Sequence, residues 1–255
     1  MKGARKTQAR QLAILKHLKQ AGRATVDGLA DRLETTPQTI RKDLNTLARE
    51  SQIIRFHGGA ALVAGTEYTY FDTRSKISRD EKKAIGRRVA TEIPNNSSLI
   101  INSGTTTAAV ADSLGHHVGL KIVTDSVLLA NNLRRNAGLE VMVPAGVVRS
   151  SDGAILGESA VDFIRQFRAD IAVIGAAAIA SDGALLDYDL REASVTRAII
   201  SSARNVILAA DSTKYGRAAP VCFGHLDQID TVVTDHNCPD DLRDLCTTAG
   251  VGLLI

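Results

Sequence analysis

The sequence predicts an α/β protein in two parts: a small helical head carrying a β-wing, then a larger layered α/β domain. Three observations predict it. The run TPQTIRKDLNTLARESQIIRFHGGA, from Thr36 to Ala60, reads as a capped amphipathic helix followed by two short strands around a Gly-Gly turn. Residues 1–60 hold twelve Lys/Arg against five Asp/Glu, or +7, whereas the whole chain is +3, so the remainder is −4. Beyond residue 80, short apolar runs rich in β-branched residues alternate with helical segments, the order of parallel strands joined by crossover helices.

In the head, QARQLAILKHLKQ (8–20) places Leu12, Leu15 and Leu18 with Ile14 on a helical stripe that Gly22 closes. A second short helix follows Thr25 in VDGLADRLE, with Val26, Leu29, Ala30 and Leu33 facing inward. After the turn ETT, Thr36 is placed to accept the free N–H groups of a third helix. Pro37 then gives up only an N–H that would have had no partner. Ile40, Leu44 and Leu47 form its apolar stripe, and Gln38, Arg41, Lys42 and Asn45 fall on the other side. Gln and Asn can bond the edge of adenine in two places, Arg can do so with guanine, and Lys neutralises phosphate. Taken alone, such a face reads equally as solvated surface. Its setting favours nucleic acid, because two helices joined by a short turn, with a third in front, make a helix-turn-helix whose later helix enters the major groove. QIIRFHGGAAL supplies the wing, from which Arg55 and His57 project. The candidate DNA-binding residues are Thr36, Gln38, Thr39, Arg41, Lys42, Asn45, Arg55 and His57. A basic head on a mildly acidic body confines nucleic-acid contact to one end.

The bulk numbers exclude several classes. Apolar content of 44% and charged content of 23% are ordinary for a globular protein, and 255 residues supply ample core. No run of about 18 apolar residues could span a bilayer, and the basic N-terminus lacks the apolar stretch of a signal peptide, so a cytoplasmic protein is expected. Cys222, Cys238 and Cys246 are an odd count without a CxxC pair, and His116 and His117 fall on different faces, so neither a disulfide framework nor a metal site is expected. No cofactor is expected either.

Residues 63–79 have no clean period and read as a linker between a head at 1–62 and a second domain at 80–255. DEKKAIGRRVATEI is helical, with Ile85, Val89 and Ile93 in step and acids early, and Pro94 ends it. Strand-like SLIIN, KIVT, EVMV, DIAVIG, NVILAA, TVVT and GLLI then alternate with helical AAVADSL, VLLANNLRR, REASVTRAIISSA and DDLRDLCTTA.

The chemistry concentrates at Asn102-Ser-Gly-Thr-Thr-Thr107, which follows a strand and opens a helix. Gly104 permits a close turn, and Thr105, Thr106 and Thr107 put hydroxyls beside free N–H groups, which makes a phosphate cradle. No Lys stands where a Walker loop needs one. The alternative is a strand-to-helix turn that holds nothing. Comparable turns close later strands at Thr124-Asp125-Ser126, Ala145-Gly146 and Gly175; in a parallel sheet they share one edge, where ligands bind. Arg149, Glu158, Asp187, Glu192 and Lys214 are polar residues in or near these loops. The cations can pair a phosphate and the carboxylates can hold hydroxyls, or each can be a structural charge.

TIRKDLNTL followed by RFHGGA resembles the winged helix-turn-helix of DeoR-type bacterial transcriptional regulators, whose usual forms are TIRRDL and R-x-HGGA. Lys42 stands where Arg is usual, which keeps the charge but loses a bidentate contact, so Lys42 suits phosphate rather than a base. IINSGTTT, VTDS, RSSDGAILGESAVDFI and AADSTKYGR are similar to the sensor domain of the same family, which is related in fold to ribose-5-phosphate isomerase. The resemblance implies a repressor released from double-stranded operator DNA by a phosphorylated sugar or polyol, acting as a dimer or tetramer. It assigns Gly104, Thr105, Thr106, Thr124, Ser126 and Lys214 to the effector, beside Thr107, Gly146, Arg149, Glu158 and Glu192. RSSDGAILGE, DFIRQFRAD and SDGALLDYD look most like members concerned with glycerol 3-phosphate, which favours that ligand. Asn102 replaces the usual Asp, Asp125 the Asn of TNS, and Ala145-Gly146 a Gly-Gly. A charged Asp125 would repel a phosphate unless it met a hydroxyl. The rival reading is a sugar-phosphate isomerase with a basic extension, its base drawn from Glu192 or Asp187 beside Lys214.

Overall fold

The computed structural model describes residues 7, 10–15, 17–18, 23–49, 53–56, 58–62 and 71–255, and the chain divides into two compact units, Met1–Thr69 and Tyr70–Ile255. In the first, residues 10–15 and 17–18 are helical and precede β1 (Arg23–Thr25), α1 (Val26–Arg32), α2 (Pro37–Arg49), β2 (Ile53–Phe56) and β3 (Gly59–Leu62). The cap expected at Thr36 forms, its Oγ1 accepting from the Thr39 N–H at 3.2 Å, and Thr25 Oγ1 likewise accepts from the Gly28 N–H at 3.1 Å. Ile14, Leu18, Val26, Leu29, Ala30, Ile40, Leu44 and Leu47 close into one core with Ile53 and Ala60 of the wing. Leu12 does not join the stripe expected for it and is 59% exposed. At about 100° per residue it lies some 200° round the helix from Ile14, so it cannot share that face.

The wing has a third strand that the sequence did not announce. β3 pairs antiparallel with β2 and also with β1, Ala24 opposite Ala60, and Gly58 turns the hairpin at φ 82°. Arg23–Thr25 is too short to carry a period, so only pairing across the chain makes it a strand. Asp43, inside the reading helix, is 2% exposed and ion-paired to Arg10. That pair engages Arg10, one of the cations counted in the basic head.

Of the segment 63–79 expected as linker, 63–70 lies outside the described residues, while Phe71–Lys76 is a helix (α3) docked on the second unit and Arg79 already begins α4 (Arg79–Thr91). The Phe71 N–H reaches Ser151 O at 3.4 Å, and the buried Lys82 ammonium of α4 donates to the carbonyls of Arg74 (2.8 Å) and Ile77 (2.9 Å). These non-local ties hold a six-residue helix too short to show amphipathic periodicity.

The strands that follow are β4 (Ser98–Ile101), β5 (Leu120–Thr124), β6 (Leu139–Met142), β7 (Val147–Val148), β8 (Ile155–Leu156), β9 (Ala169–Ile174), β10 (Ala178–Ile179), β11 (Ala184–Asp187), β12 (Ala203–Ala209), β13 (Val221–His225), β14 (Thr231–Val233) and β15 (Gly252–Leu254). The helices are α5 (Thr105–Ser113), α6 (Val127–Leu133), α7 (Glu158–Ile164), α8 (Leu190–Ser201) and α9 (Asp240–Ala249). Seven strands form one parallel sheet in the order β15-β14-β12-β9-β4-β5-β6. The chain runs outward from β4 to β6, then returns to the other side of β4 at β9, which makes β4/β9 the topological switch point. Successive residues of these central strands face opposite cores, Ile100 and Ala172 one way, Leu99, Ile101 and Val173 the other, and helices cover both faces. The loops between these strands also hold two small antiparallel sheets, β10-β11-β13 and β7-β8, for which the sequence reading had no strands.

α4 packs directly on α5. A Cβ at Gly86 would stand 2.3 Å from the Ala109 carbonyl oxygen, so α4 needs glycine there for the two backbones to touch. The approach braces α5, whose first turn is the candidate cradle.

Candidate nucleic-acid interface and effector cradle

Gln38, Arg41, Lys42 and Asn45 are exposed on one side of α2, opposite the fully buried Ile40 and Leu44. Thr36 is exposed at the helix start and Thr39 half-buried beside it, their hydroxyls 2.9 Å apart. Arg55, exposed on the wing, donates from Nη1 to Asn45 Oδ1, so wing and reading helix meet through a side-chain hydrogen bond. His57 lies outside the described residues.

The cradle stands at the carboxyl end of β4. α5 opens at Gly104 with no side-chain cap, and its first main-chain bond runs from Ala108 N to Gly104 O at 3.0 Å. The N–H groups of Thr105, Thr106 and Thr107 thus have no acceptor among the described residues, and the helix dipole adds partial positive charge there. Thr105 is half-open, Thr106 is buried, and Thr107 is fully buried with its Oγ1 unpartnered. Asn102 pins this loop across the switch point: its Oδ1 accepts from Gly175 N at 2.9 Å and its Nδ2 stands 3.5 Å from Gly175 O. An aspartate could only accept, so the amide explains the departure from the family pattern.

Asp125 is 1% exposed, and its Oδ1 accepts from Ser103 N at 2.6 Å. Burial, with Glu192 nearby, pushes its carboxyl up to about 8, against the opposing pull of the backbone bonds and Arg149. At neutral pH it is an uncharged acid, and the repulsion expected between Asp125 and a phosphate is absent. Thr124 and Ser126, both fully buried, are engaged within the same turn: Thr124 Oγ1 accepts from Ser126 N at 3.2 Å, and Ser126 Oγ caps α6 through Leu129 N at 3.3 Å.

Arg149 and Glu192 are brought together, but on each other. Arg149 bonds Asp152 at 2.8 and 2.6 Å, Glu192 at 2.5 Å and Asp189 at 3.3 Å. Asp189 is held below the usual carboxylate range chiefly by its bonds to Arg191. Glu158 is exposed in the first turn of α7, and Gly146 packs against β8, where a Cβ would come within 2.8 Å of Leu156 O.

Lys214 closes a 3-10 turn, Ser212–Lys214, capped by Asp211 after β12. Its ammonium makes no hydrogen bond or ion pair among the described residues. Burial drives its pKa down to about 8; Asp211 opposes this, while Arg217, Lys82 and Arg74 add to it. Lys214 therefore feels one carboxylate, Asp211, and three further cations. Arg74, Lys82 and Asp211 were missed by the sequence reading. Arg74 lies in a stretch without a period, and nothing in the local pattern around Lys82 marks it as buried.

Residues 77–236 match the DeoR C terminal sensor domain, and residues 10–66 the DeoR-like helix-turn-helix domain. The glycerol-3-phosphate regulon repressor of Escherichia coli (strain K12) is 40% identical over 242 residues, 95% of this chain and 96% of that one. The HTH-type transcriptional repressor CsqR of the same organism is 40% identical over 90% of this chain and 88% of its own. The glycerol-3-phosphate regulon repressor of Haemophilus influenzae is 42% identical over 90% of this chain and 89% of its own. Ribose 5-phosphate isomerase from Plasmodium falciparum is similar in outline only, 14% identical with a TM-score of 0.39 over 52% of each chain.

Proposed function

Because the chain belongs to the DeoR family of transcriptional regulators, we propose that it is a repressor that holds operator DNA through α2 and its wing and lets go when a phosphorylated polyol, glycerol 3-phosphate first, occupies the cradle. The observation that carries the reading is the start of α5 at the switch point, which has no side-chain cap, with an ammonium on the neighbouring loop that has no partner among the described residues and an uncharged acid beneath it. Gly104 to Thr107 and Lys214 hold the phosphate. The relatives named for the glycerol-3-phosphate regulon, 40% and 42% identical, support that ligand over other phosphorylated sugars. The isomerase alternative needs a free carboxylate base, and Glu192 is bound to Arg149 at 2.5 Å. The protein acts as at least a dimer, its half-sites about 34–36 Å or a multiple apart.

The decisive experiment is a gel-shift titration. Glycerol 3-phosphate lowers the affinity for a duplex selected by the protein from random DNA, and by linkage that duplex lowers the affinity for glycerol 3-phosphate by the same factor. Unchanged DNA affinity at saturating ligand excludes this effector. Thr105→Val keeps DNA binding but abolishes the response, whereas loss of DNA binding in that variant would make the turn purely structural.

On the DNA side, Arg41→Ala costs about 1–3 kcal/mol and relaxes preference at one base pair, while Lys42→Ala weakens all sequences alike and lowers the salt slope by about one. Binding measured on selected and random duplexes across salt concentrations separates them. Equal losses on both duplexes for both variants would refute this division of roles.

A further inference from the structure

We infer that the hairpin β7–β8 and the two segments beside it form the surface through which two copies of this chain meet about a twofold axis. The need for a second copy rests on the operator-binding reading above, whereas the meeting place is read from the surface itself.

Three observations place it there. Ten large apolar side chains are exposed among the described residues, and five of them, Val127, Leu128, Val143, Val147 and Val148, lie on this hairpin or on the segments that flank it. Val143 follows β6 directly and leads through Pro144 into β7. The tip of the hairpin rests on the start of α6: Gly153 O accepts from Val127 N at 2.9 Å, and a Cβ at Gly153 would stand 3.2 Å from Leu128 Cγ. Next, Val147 and Val148 are 71% and 52% exposed, although successive residues of a strand face opposite sides. Their ladder partners, Leu156 and Ile155, are buried. β7 therefore stands clear of the core on both faces, and among the described residues it pairs only with β8, as β6 before it pairs only with β5. Finally, edges left to solvent are normally protected by charge, and an open apolar edge is a place where another chain docks. No residue from Val141 to Val148 is charged.

The lack of charge also selects the occupant. DNA or a strongly charged protein is gripped by opposite charges, whereas a twofold contact needs only a surface complementary to itself, and a neutral apolar surface meets that need. Arg149, at the end of β7, is held by Asp152 and Glu192 and does not interrupt the patch. The five apolar residues supply roughly half of the ~800 Å² that each partner of a standard interface buries, and the exposed Ala145, Gly146 and Ser150 add to it. Val147, the most open of the five, lies nearest the axis and faces the same residue of the second copy.

The test weighs the full chain by sedimentation, without DNA or effector, as wild type, Val147→Glu, Val147→Lys and Val118→Glu. Val118 is a comparably exposed valine at the opposite end of β5 from the hairpin. Either charge at Val147 faces its like across the axis, so each of these variants alone sediments at half the wild-type mass, while Val118→Glu keeps that mass. Co-expressed, the Glu and Lys chains pair with each other and recover the full mass, which also shows that both are folded. Wild-type mass in both Val147 variants, a co-expressed pair that stays at half mass, or the same loss in Val118→Glu would overturn the proposal and leave the dimer reading standing. A wild type that is a single chain both free and on DNA removes the dimer reading and this surface with it.

Discussion

Arg149→Met is expected to destabilise the second unit by about 3–5 kcal/mol, the cost of breaking a buried ion pair from one side. The Arg149 side chain is 13% exposed, Asp152 2% and Glu192 10%, so the carboxylates it leaves behind cannot turn to water. Arg74 still reaches Asp152 at 3.2 Å and Arg191 still reaches Asp189, so part of the network keeps a cation, while the 2.5 Å bond to Glu192 is lost. Arg149→Lys restores only part, because a single ammonium cannot reproduce five donors fanned toward three carboxylates. In urea melts the midpoint for the second unit falls. Adding Glu192→Gln to Arg149→Met recovers part of that stability, since one buried carboxylate then carries no charge. A loss under about 1 kcal/mol would place the network with solvent-screened surface pairs. The same arithmetic explains why Arg149 and Glu192 were legible as polar loop residues but not as partners of each other: they are 43 positions apart, and no local pattern joins them.

That contrast runs through the whole chain. Features written within a few residues could be read directly. The cap at Thr36, the stripe Ile40-Leu44-Leu47 and the alternation of strands with helices are all set by nearest-neighbour geometry, which a sequence displays. Arg23–Thr25, Phe71–Lys76 and the short antiparallel strands could not be read, because each is too brief for a period and exists through pairing with distant chain. Leu12 misleads for a different reason: its spacing of three from Leu15 resembles a stripe, yet it lies about 200° round the helix from Ile14. The buried partners were invisible in the same way. Asp43 finds Arg10 at a separation of 33 positions and Asn102 finds Gly175 at 73. At the cradle the sequence supplied the turn and its hydroxyls, and only burial could reveal which are open. Thr105 is half-open, while Thr124 and Ser126 are closed inside their own turn.

Burial also turns Asp125 from a puzzle into a measurable cost, and Asp125→Asn is expected to raise stability by at least about 2 kcal/mol near pH 8, or about 4–8 °C in melting temperature. The folded carboxyl titrates at about 8 against 3.8 for its free value, with burial the leading cause and Glu192 the next. Below pH 4 both folded and unfolded chains keep the proton and the residue costs nothing. Between pH 4 and 8 the unfolded chain ionises while the folded one does not, so this site lowers stability steadily; above pH 8 both are ionised and the cost stays constant. Asparagine keeps the acceptor for Ser103 N and has no proton to lose, so the gap between variant and wild type opens from zero near pH 4 to a plateau above pH 8. Thermal melts across that range check it, and a gap independent of pH would mean that the carboxyl is already ionised in the fold. The same titration bears on function. Ionising Asp125 puts a negative charge beneath the cradle just as Lys214, with its pKa also near 8, gives up its positive one. Both changes oppose a phosphate, so effector affinity falls steeply above pH 8 in wild type and less steeply in Asp125→Asn, where Lys214 alone titrates.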